Sequence, residues 1–247
     1  MPHADEQPDK TSALTVPKGE DEHSTLTVPK GEDKTSALTI LTTEHYTLQM
    51  VRTANITDAT GRAGHLLSTI SASMIALGFV AQVVPLEVLL TLVLVIFTGL
   101  FLIGLATLFR AVELVIEDVQ AGLGINRIRH VYGDLEPSTK DVFVRQMHDE
   151  TAAVEADAGQ TGWRKARRPR LIGTALSVAG LVNLVNGLVA GAVAGAASGL
   201  LNAGLTWSIV IGCVVAAAVV TAFGVVIGRI GRRGVAPIGT RYPRNQQ

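Results

Sequence analysis

The sequence predicts an all-α membrane protein with four transmembrane helices, arranged as two hairpins with a cytoplasmic helical insert between them. The prediction depends on long uncharged stretches, on their lengths, and on the confinement of basic residues to the regions outside them. No Asp, Glu, Lys or Arg occurs in residues 63–86, 88–109 or 171–228. About 20 helical residues cross a bilayer core. The first two stretches are therefore one crossing each, and the third, with 58 residues, must fold back once.

The distribution of basic residues predicts the orientation of the chain. All 21 Lys and Arg lie in the N-terminal region, in the segment 110–170 or in the tail that begins at Arg229. The two loops between paired spans contain none. Because basic residues near span ends remain in the cytoplasm, we expect a multi-pass protein with both termini and residues 110–170 on the cytoplasmic side.

The N-terminal tail is repetitive. A 12-residue unit extends from Thr11 to Glu22, recurs from His23 to Lys34, and begins a third time at Thr35. Each full copy contains few large apolar groups, so burial cannot offset the entropy cost of ordering the segment. We predict a disordered tail over residues 1–40, which is either a multivalent docking segment or a recent duplication in a neutral tail.

Local signals place the first helices. Thr42 suits a helix N-cap, and the spacing of Asp58 and Arg62 predicts that they pair on one helix face. Pro85 and Glu87 suit the first turn of the second span, where an acid interacts favourably with the helix dipole. The alternative role for Glu87 is an ion or proton site.

The segment between the hairpins is predicted to be helical. Span two continues inward, is weakened by the glycines within residues 121–124, resumes at Ile125 and ends at Gly133. A second internal helix begins at Pro137, because Phe143, Met147, Val154 and Ala158 recur near one face. The chain is thereby divided into six regions. They are a tail of 1–40, a juxtamembrane helix of 41–64, a transmembrane hairpin of 65–109, a cytoplasmic insert of 110–170, a second hairpin of 171–229 and a basic tail of 230–247.

A basic cluster with one indole immediately precedes the third span. Indole and guanidinium groups are favoured at headgroup depth, so we interpret the cluster as a lipid headgroup contact and expect no nucleic-acid partner. It consists of Trp163, Arg164, Lys165, Arg167, Arg168 and Arg170.

The third span contains a row of glycines at every fourth residue, which are Gly187, Gly191, Gly195 and Gly199. Glycine allows another backbone to approach closely, and dispersion contacts hold helices together in lipid. The row predicts tight helix packing. The contact is either between spans three and four of one subunit or between subunits of a homo-oligomer.

Two asparagines, Asn183 and Asn186, lie in the same span. Unpaired amides are costly in hydrocarbon, so both side chains must face protein or water. They either line a polar pathway or hydrogen-bond to each other and to neighbouring helices.

Catalytic signals are lacking. The sequence contains no HExxH, GxSxG or phosphate-binding loop, and neighbouring residues such as His148, Asp149 and Glu150 point to different faces of a helix. The single Cys213 excludes an intramolecular disulfide and a Cys-based zinc site. We expect a protein that is not an enzyme and has no cofactor, catalytic residue or metal ligand.

Residues 42–49, 61–67, 75–79 and 125–129 resemble a family of uncharacterised actinobacterial integral membrane proteins. The resemblance covers residues 41–150. It implies a bacterial plasma membrane and no particular activity. The paired spans with internal helices are also similar in architecture to SLATT-type membrane effectors, which are thought to form pores. The second pair of spans departs from the two-span pattern of that group.

Together these features predict an oligomeric pore or channel that is regulated through its cytoplasmic helices. The alternatives are a structural membrane scaffold that docks cytoplasmic partners, and a small-solute transporter. The expected partners are the lipid bilayer, further copies of the chain, and a cytoplasmic protein bound through residues 110–162.

Overall fold

The computed structural model describes residues 32–151, 153–154, 177–235 and 239–243. Within these ranges the chain forms helices and irregular segments and no strand. The long helices are α1 (Glu32–Val80), α2 (Leu86–Leu135), α3 (Val178–Leu200) and α4 (Leu205–Val235). All four are long and apolar enough to cross a membrane. The predicted all-α class with four helices of spanning length is confirmed.

Helix α1 is continuous over 49 residues and begins at Glu32, ten residues before the predicted cap at Thr42. Residues 32–40, which the composition assigned to a disordered tail, are therefore helical, while residues 1–31 lie outside the described residues. Successive threonine hydroxyls, at Thr39 and Thr43 among others, donate to the carbonyl four residues earlier. These bonds satisfy the hydroxyls without interrupting the helix.

Helix α2 has the predicted start, with Pro85 at its N-cap and Glu87 in its first turn. It passes Gly122 and Gly124 without a break and ends at Leu135. At about 1.5 Å per residue its 50 residues extend about 75 Å, against about 30 Å for a bilayer core. One crossing therefore uses less than half of α2, and the rest of the helix extends beyond the bilayer core.

The predicted helix after Pro137 is wrong for residues 137–150. A 3₁₀ helix covers Pro137–Val142, and the chain is then irregular as far as residue 150. Two of the apolar groups that suggested a helical face, Met147 and Val154, instead pack on glycines of α2. A Cβ atom placed on Gly122 would lie 2.7 Å from Val154, and one placed on Gly133 would lie 3.5 Å from Met147. The spacing of these side chains matches the surface of α2 rather than one face of a new helix.

Three helices share one apolar core, and the fourth packs on its side. Leu108 of α2, which has no exposed surface, contacts Ala63 and Leu66 of α1 and Val182 of α3. A second cluster further along the bundle again combines these three helices through Leu77, Phe97, Leu100 and Val189. Helix α4 packs mainly on α3.

The connection between α3 and α4 is a tight turn. Asn202 has a φ of 61° and Gly204 a φ of 77°, the left-handed conformation that Gly and Asn tolerate best. The N–H of Ala203 donates to the Ser198 carbonyl at 3.1 Å, which closes the end of α3 in the manner of a Schellman cap. At the other end, the Ser177 hydroxyl accepts from the Gly180 N–H at 3.1 Å and caps α3.

Beyond the uncharged stretches, α1 and α2 continue side by side as a pair that we call the stalk, residues 42–62 and 110–135. Arg52 donates two hydrogen bonds to Asp118, at 2.8 and 3.1 Å. Further out, the Tyr132 hydroxyl donates to Thr42 at 3.3 Å. A bidentate, partly buried ion pair fixes the register of two helices more firmly than a fully exposed pair, so the stalk is an ordered extension of the bundle.

Candidate functional site

The glycine row of α3 lies largely against α4 of the same chain. A Cβ atom on Gly191 would lie 2.6 Å from the Gly212 carbonyl oxygen, and one on Gly212 would lie 2.9 Å from the Gly191 carbonyl oxygen. Real Cβ atoms do not approach a carbonyl so closely, so the two backbones meet where neither has a side chain. The other contacts of the row are Gly187 with Val220 and Ala216, Gly195 with Ser208, and Gly199 with Leu90 of α2. A contact between subunits through this row stays a prediction.

The two asparagines bond to two different helices that pack on α3. Asn183 donates to the Val220 carbonyl of α4 at 3.0 Å. The hydrogen-bonding environment orients the Asn186 amide so that its nitrogen donates to the Phe101 carbonyl of α2 at 3.3 Å. In that orientation its oxygen accepts from the Leu105 N–H at 3.1 Å. Asn186 fits there because it lies over Gly104, which has no side chain. Both asparagines are buried, and the polar pathway stays a prediction.

A cavity of about 650 Å³ opens beside the glycine row, between the start of α2 and helices α3 and α4. Its lining is mainly apolar and includes Leu90, Leu188 and Gly195. Towards the charged end of the bundle, Leu108 and Val182 fill the space between the described helices. The cavity therefore belongs to one end of the four-helix region.

Charged side chains mark the point where the apolar part of α1 and α2 ends. Asp58 accepts from Arg62 at 2.8 Å, which confirms the predicted pairing. Arg110 of α2 lies 3.7 Å from the same Asp58, 3.1 Å from Glu113 and 3.6 Å from Glu117. The predicted headgroup cluster of residues 163–170 lies outside the described residues.

A polar cluster at the stalk end centres on Asp149, whose side chain has no exposed surface. Its carboxylate accepts from the backbone N–H groups of Arg241 and Tyr242, both at 2.7 Å. It also accepts from Nε of Arg127 at 2.7 Å. Successive backbone N–H groups that converge on one point form an anion-binding arrangement. Asp149 thereby fastens residues 239–243, which we call the C-terminal strap, to the insert and to α2.

Further contacts hold the strap along α2. The Tyr242 ring stacks on His130 with 3.9 Å between ring centroids, and Arg127 donates to the Gly239 carbonyl. Just before the strap, Gln120 donates to the Gly234 carbonyl at 3.1 Å. Burial lowers the pKa of His130 more than the nearby Asp134 raises it, so the ring that stacks on Tyr242 is neutral at pH 7.

Burial and hydrogen bonding act on Asp149 in opposite directions. Burial alone raises the pKa of its carboxyl, but the Arg241 N–H, the Arg127 guanidinium and the Tyr242 N–H together lower the pKa below its ordinary value. The carboxylate is therefore ionised at neutral pH and is held by donors that match its charge.

Two other polar side chains attach the irregular segment to α2. Asn126 donates to the His148 carbonyl at 3.0 Å. The buried Arg129 donates to the Asn126 side-chain oxygen at 2.9 Å and to the Gln146 carbonyl at 3.4 Å. Sequence reasoning missed this cluster because its members are separated by up to about a hundred residues and follow no motif. In the sequence, Asp149 indicates this cluster only as an acidic residue within a predicted helix.

The fold defines an all-helical protein with four helices compatible with a multi-pass membrane protein. In the described ranges, no three His, Cys, Asp or Glu side chains converge so that they could hold a metal ion. Comparison of the chain with protein-family models, with curated proteins and with solved structures gave no match.

Proposed function

We propose that the protein is a non-enzymatic, multi-pass plasma membrane scaffold whose stalk and C-terminal strap form a docking surface for a cytoplasmic partner. The stalk supports this proposal above all, because α1 and α2 remain packed far beyond the length of a membrane crossing. The Arg52–Asp118 pair and the Asp149 cluster hold that extension in a defined shape. A rigid extension of this kind presents a surface at a set distance from the bilayer.

The orientation in the proposal follows from charge and from the position of the strap. The strap contacts α2 near Arg127, so the C-terminal segment lies at the same end of the bundle as residues 110–150. The stalk part of α1 lies at that end as well. The basic residues concentrated there favour the cytoplasmic side, with the α1–α2 and α3–α4 turns outside.

Impermeant thiol labelling of intact cells tests this orientation. In a chain whose Cys213 is replaced by alanine, Gln82→Cys should react with an impermeant maleimide, because Gln82 is exposed in the turn after α1. Ser138→Cys, which is exposed on the 3₁₀ helix, should react only after the cells are opened. Labelling of Ser138→Cys alone in intact cells would reverse the topology and contradict the proposal.

The scaffold is preferred over a pore within one subunit because the described helices leave little polar surface for a water path. The Asn183 amide nitrogen and both polar atoms of the Asn186 amide bond to neighbouring helices. Leu108 and Val182 fill the space between the helices. An oligomeric pore, the first prediction from the sequence, would need a water path between copies of the chain. A small-solute transporter would need an inner opening to match the outer cavity.

Flux through proteoliposomes separates these functions. Vesicles with the full chain should release an entrapped anionic dye, and take up potassium, at the rate of protein-free vesicles, while a pore-forming peptide serves as the positive control. Protein-dependent flux that rises steeply with protein density would contradict the scaffold and favour the oligomeric pore. Saturable uptake of one solute would favour the transporter.

A further inference from the structure

Helix α1 carries a row of exposed residues on the side that faces away from α2. The row repeats with alternating spacings of three and four residues over 39–78, and every member is exposed. Its members are Thr39, Thr43, Tyr46, Met50, Thr53, Thr57, Thr60, Gly64, Leu67, Ser71, Met74 and Gly78. We call it the α1 row. A spacing that averages 3.5 residues places a continuous stripe along one side of a helix, as in a left-handed coiled coil.

The α1 row contains no charged residue, although α1 is charged elsewhere. The four charged side chains between residues 39 and 78 all lie on the sides that flank or face α2. They are Glu44, Arg52, Asp58 and Arg62. In the part outside the uncharged stretch, Tyr46 is 67% and Met50 is 72% exposed. A helix face that meets only water usually carries charge, so this face has the composition of a contact surface.

Within the uncharged stretch, every second member of the row has a small side chain or none, and Leu67 and Met74 lie between them. Gly64, Ser71 and Gly78 follow one another at intervals of seven residues. A Cβ atom added to Gly64 or to Gly78 would meet nothing within 4 Å among the residues that the structure describes. In contrast to the glycines of α3, these two glycines allow close approach of a backbone but have no neighbour in the described part of the chain. Small residues at such intervals suit the left-handed crossing of membrane helices.

We propose that the α1 row is the interface between two copies of this chain, which pair in parallel about a two-fold axis along the membrane normal. At about 1.5 Å per residue the 40 residues of the row extend about 60 Å, twice a bilayer core. A lipid would cover only one half of the row and a soluble protein only the other. A second α1 covers both halves at the same depth.

Two-fold symmetry also accounts for the absence of charge. In a parallel pair about such an axis, each residue of the row meets its own copy. Any charged residue in the row would therefore face a like charge, which is destabilising. The inference uses membrane insertion of α1 in one orientation, which is part of the proposed function, but it does not depend on the scaffold role. Thiol labelling tests insertion separately.

Disulfide crosslinking of the full chain in native membranes tests the interface. In the background without Cys213, Ser71→Cys and Met74→Cys belong to the row. Ala72→Cys and Ala76→Cys are equally exposed on the same helix but outside the row. With copper phenanthroline as oxidant, the two row positions should form a disulfide dimer about ten times faster, since only facing residues bring Cβ atoms within about 4.5 Å.

Every other pattern overturns the proposal. Equal rates at all four positions would mean random collision, and no dimer at any position would mean that α1 faces lipid. A crosslinked product heavier or lighter than twice the chain would identify a different partner.

A substitution in the row gives a second measurement. Gly64→Leu adds a side chain whose Cβ atom meets nothing within 4 Å among the described residues, so the monomer should remain folded and inserted. It should separate the paired backbones and slow crosslinking of Ser71→Cys about tenfold. Ala76→Leu, outside the row, is the control and should leave the rate unchanged. Unchanged crosslinking in the Gly64→Leu variant would contradict close pairing at this position.

Discussion

Replacement of Gly191 by leucine is expected to destabilise the protein by about 3 kcal/mol, at the upper end of the cost of overpacking a tight contact. The Cβ atom of the new side chain would lie 2.6 Å from the Gly212 carbonyl oxygen and 2.9 Å from the Ala216 Cβ atom. Backbone on the opposite helix cannot move aside as a flexible side chain can, so α3 and α4 must separate. For a chain of this length the melting midpoint in detergent should fall by about 10 °C.

Gly99→Leu is the matched control. Gly99 lies in an apolar part of α2, and a Cβ atom added there meets nothing within 4 Å in the described part of the chain. Its substitution should change the melting midpoint by no more than about 2 °C. Crosslinking in membranes before extraction should show the same oligomer for both variants. A Gly191→Leu chain that melts normally but loses its oligomer would show that the row joins subunits, contrary to the contact described above.

Replacement of Asp149 by asparagine is expected to release the C-terminal strap. The buried carboxylate accepts from two backbone N–H groups and from Arg127. An amide offers one acceptor oxygen, and its own N–H groups oppose the donors of the strap. Arg127 is 33% exposed, so its guanidinium group can bond to water instead. We therefore expect the interactions that hold the strap to weaken by about 2 kcal/mol, in the range of hydrogen bonds to a charged group.

Limited trypsin digestion measures this release. Trypsin can cleave after Arg241 only when the backbone that Asp149 holds is released. The loss of residues 242–247, detected by mass spectrometry, should therefore be about thirtyfold faster in the variant. Asp141→Asn, a change of an exposed acid on the adjacent 3₁₀ helix, is the control and should leave the rate unchanged. Equal cleavage rates for Asp149→Asn and the unmodified chain would mean that other contacts hold the strap.

The same contact has a defined pH dependence. The pKa of Asp149 is lower in the folded chain than its ordinary value of 3.8, so the unfolded state binds the proton first as the pH falls. The contribution of Asp149 to stability is therefore complete above pH 3.8 and is lost as the pH falls through the lowered value. The contribution of Asp149 to holding the strap should therefore stay constant from pH 5 to pH 8.

Individual helices show how much of the fold a local sequence pattern can predict. The uncharged stretches were enough to predict α2 from Pro85 onward, because a bilayer solvent leaves few alternatives to a helix. The start of α1 was placed too late, since repeat composition does not reveal that residues 32–40 can extend a helix already stabilised by packing. The helix predicted after Pro137 is absent over residues 137–150, because Met147 and Val154 pack on Gly133 and Gly122 of α2. A pattern within residues 137–158 cannot reveal these contacts, since the glycines lie in another part of the chain.

The sequence by itself determined the number of apolar helices, the all-α class and the Asp58–Arg62 pair, and it drew attention to the glycines and asparagines of α3 without deciding what they contact. These are consequences of composition and spacing within one helix, where the physics is local. The tertiary structure alone decided that Gly191 meets Gly212, that Asn183 and Asn186 bond to different helices, and that Asp149 holds Arg241 and Tyr242. Each of these contacts joins distant parts of the chain. Their energies depend on distances that form only when the helices pack together.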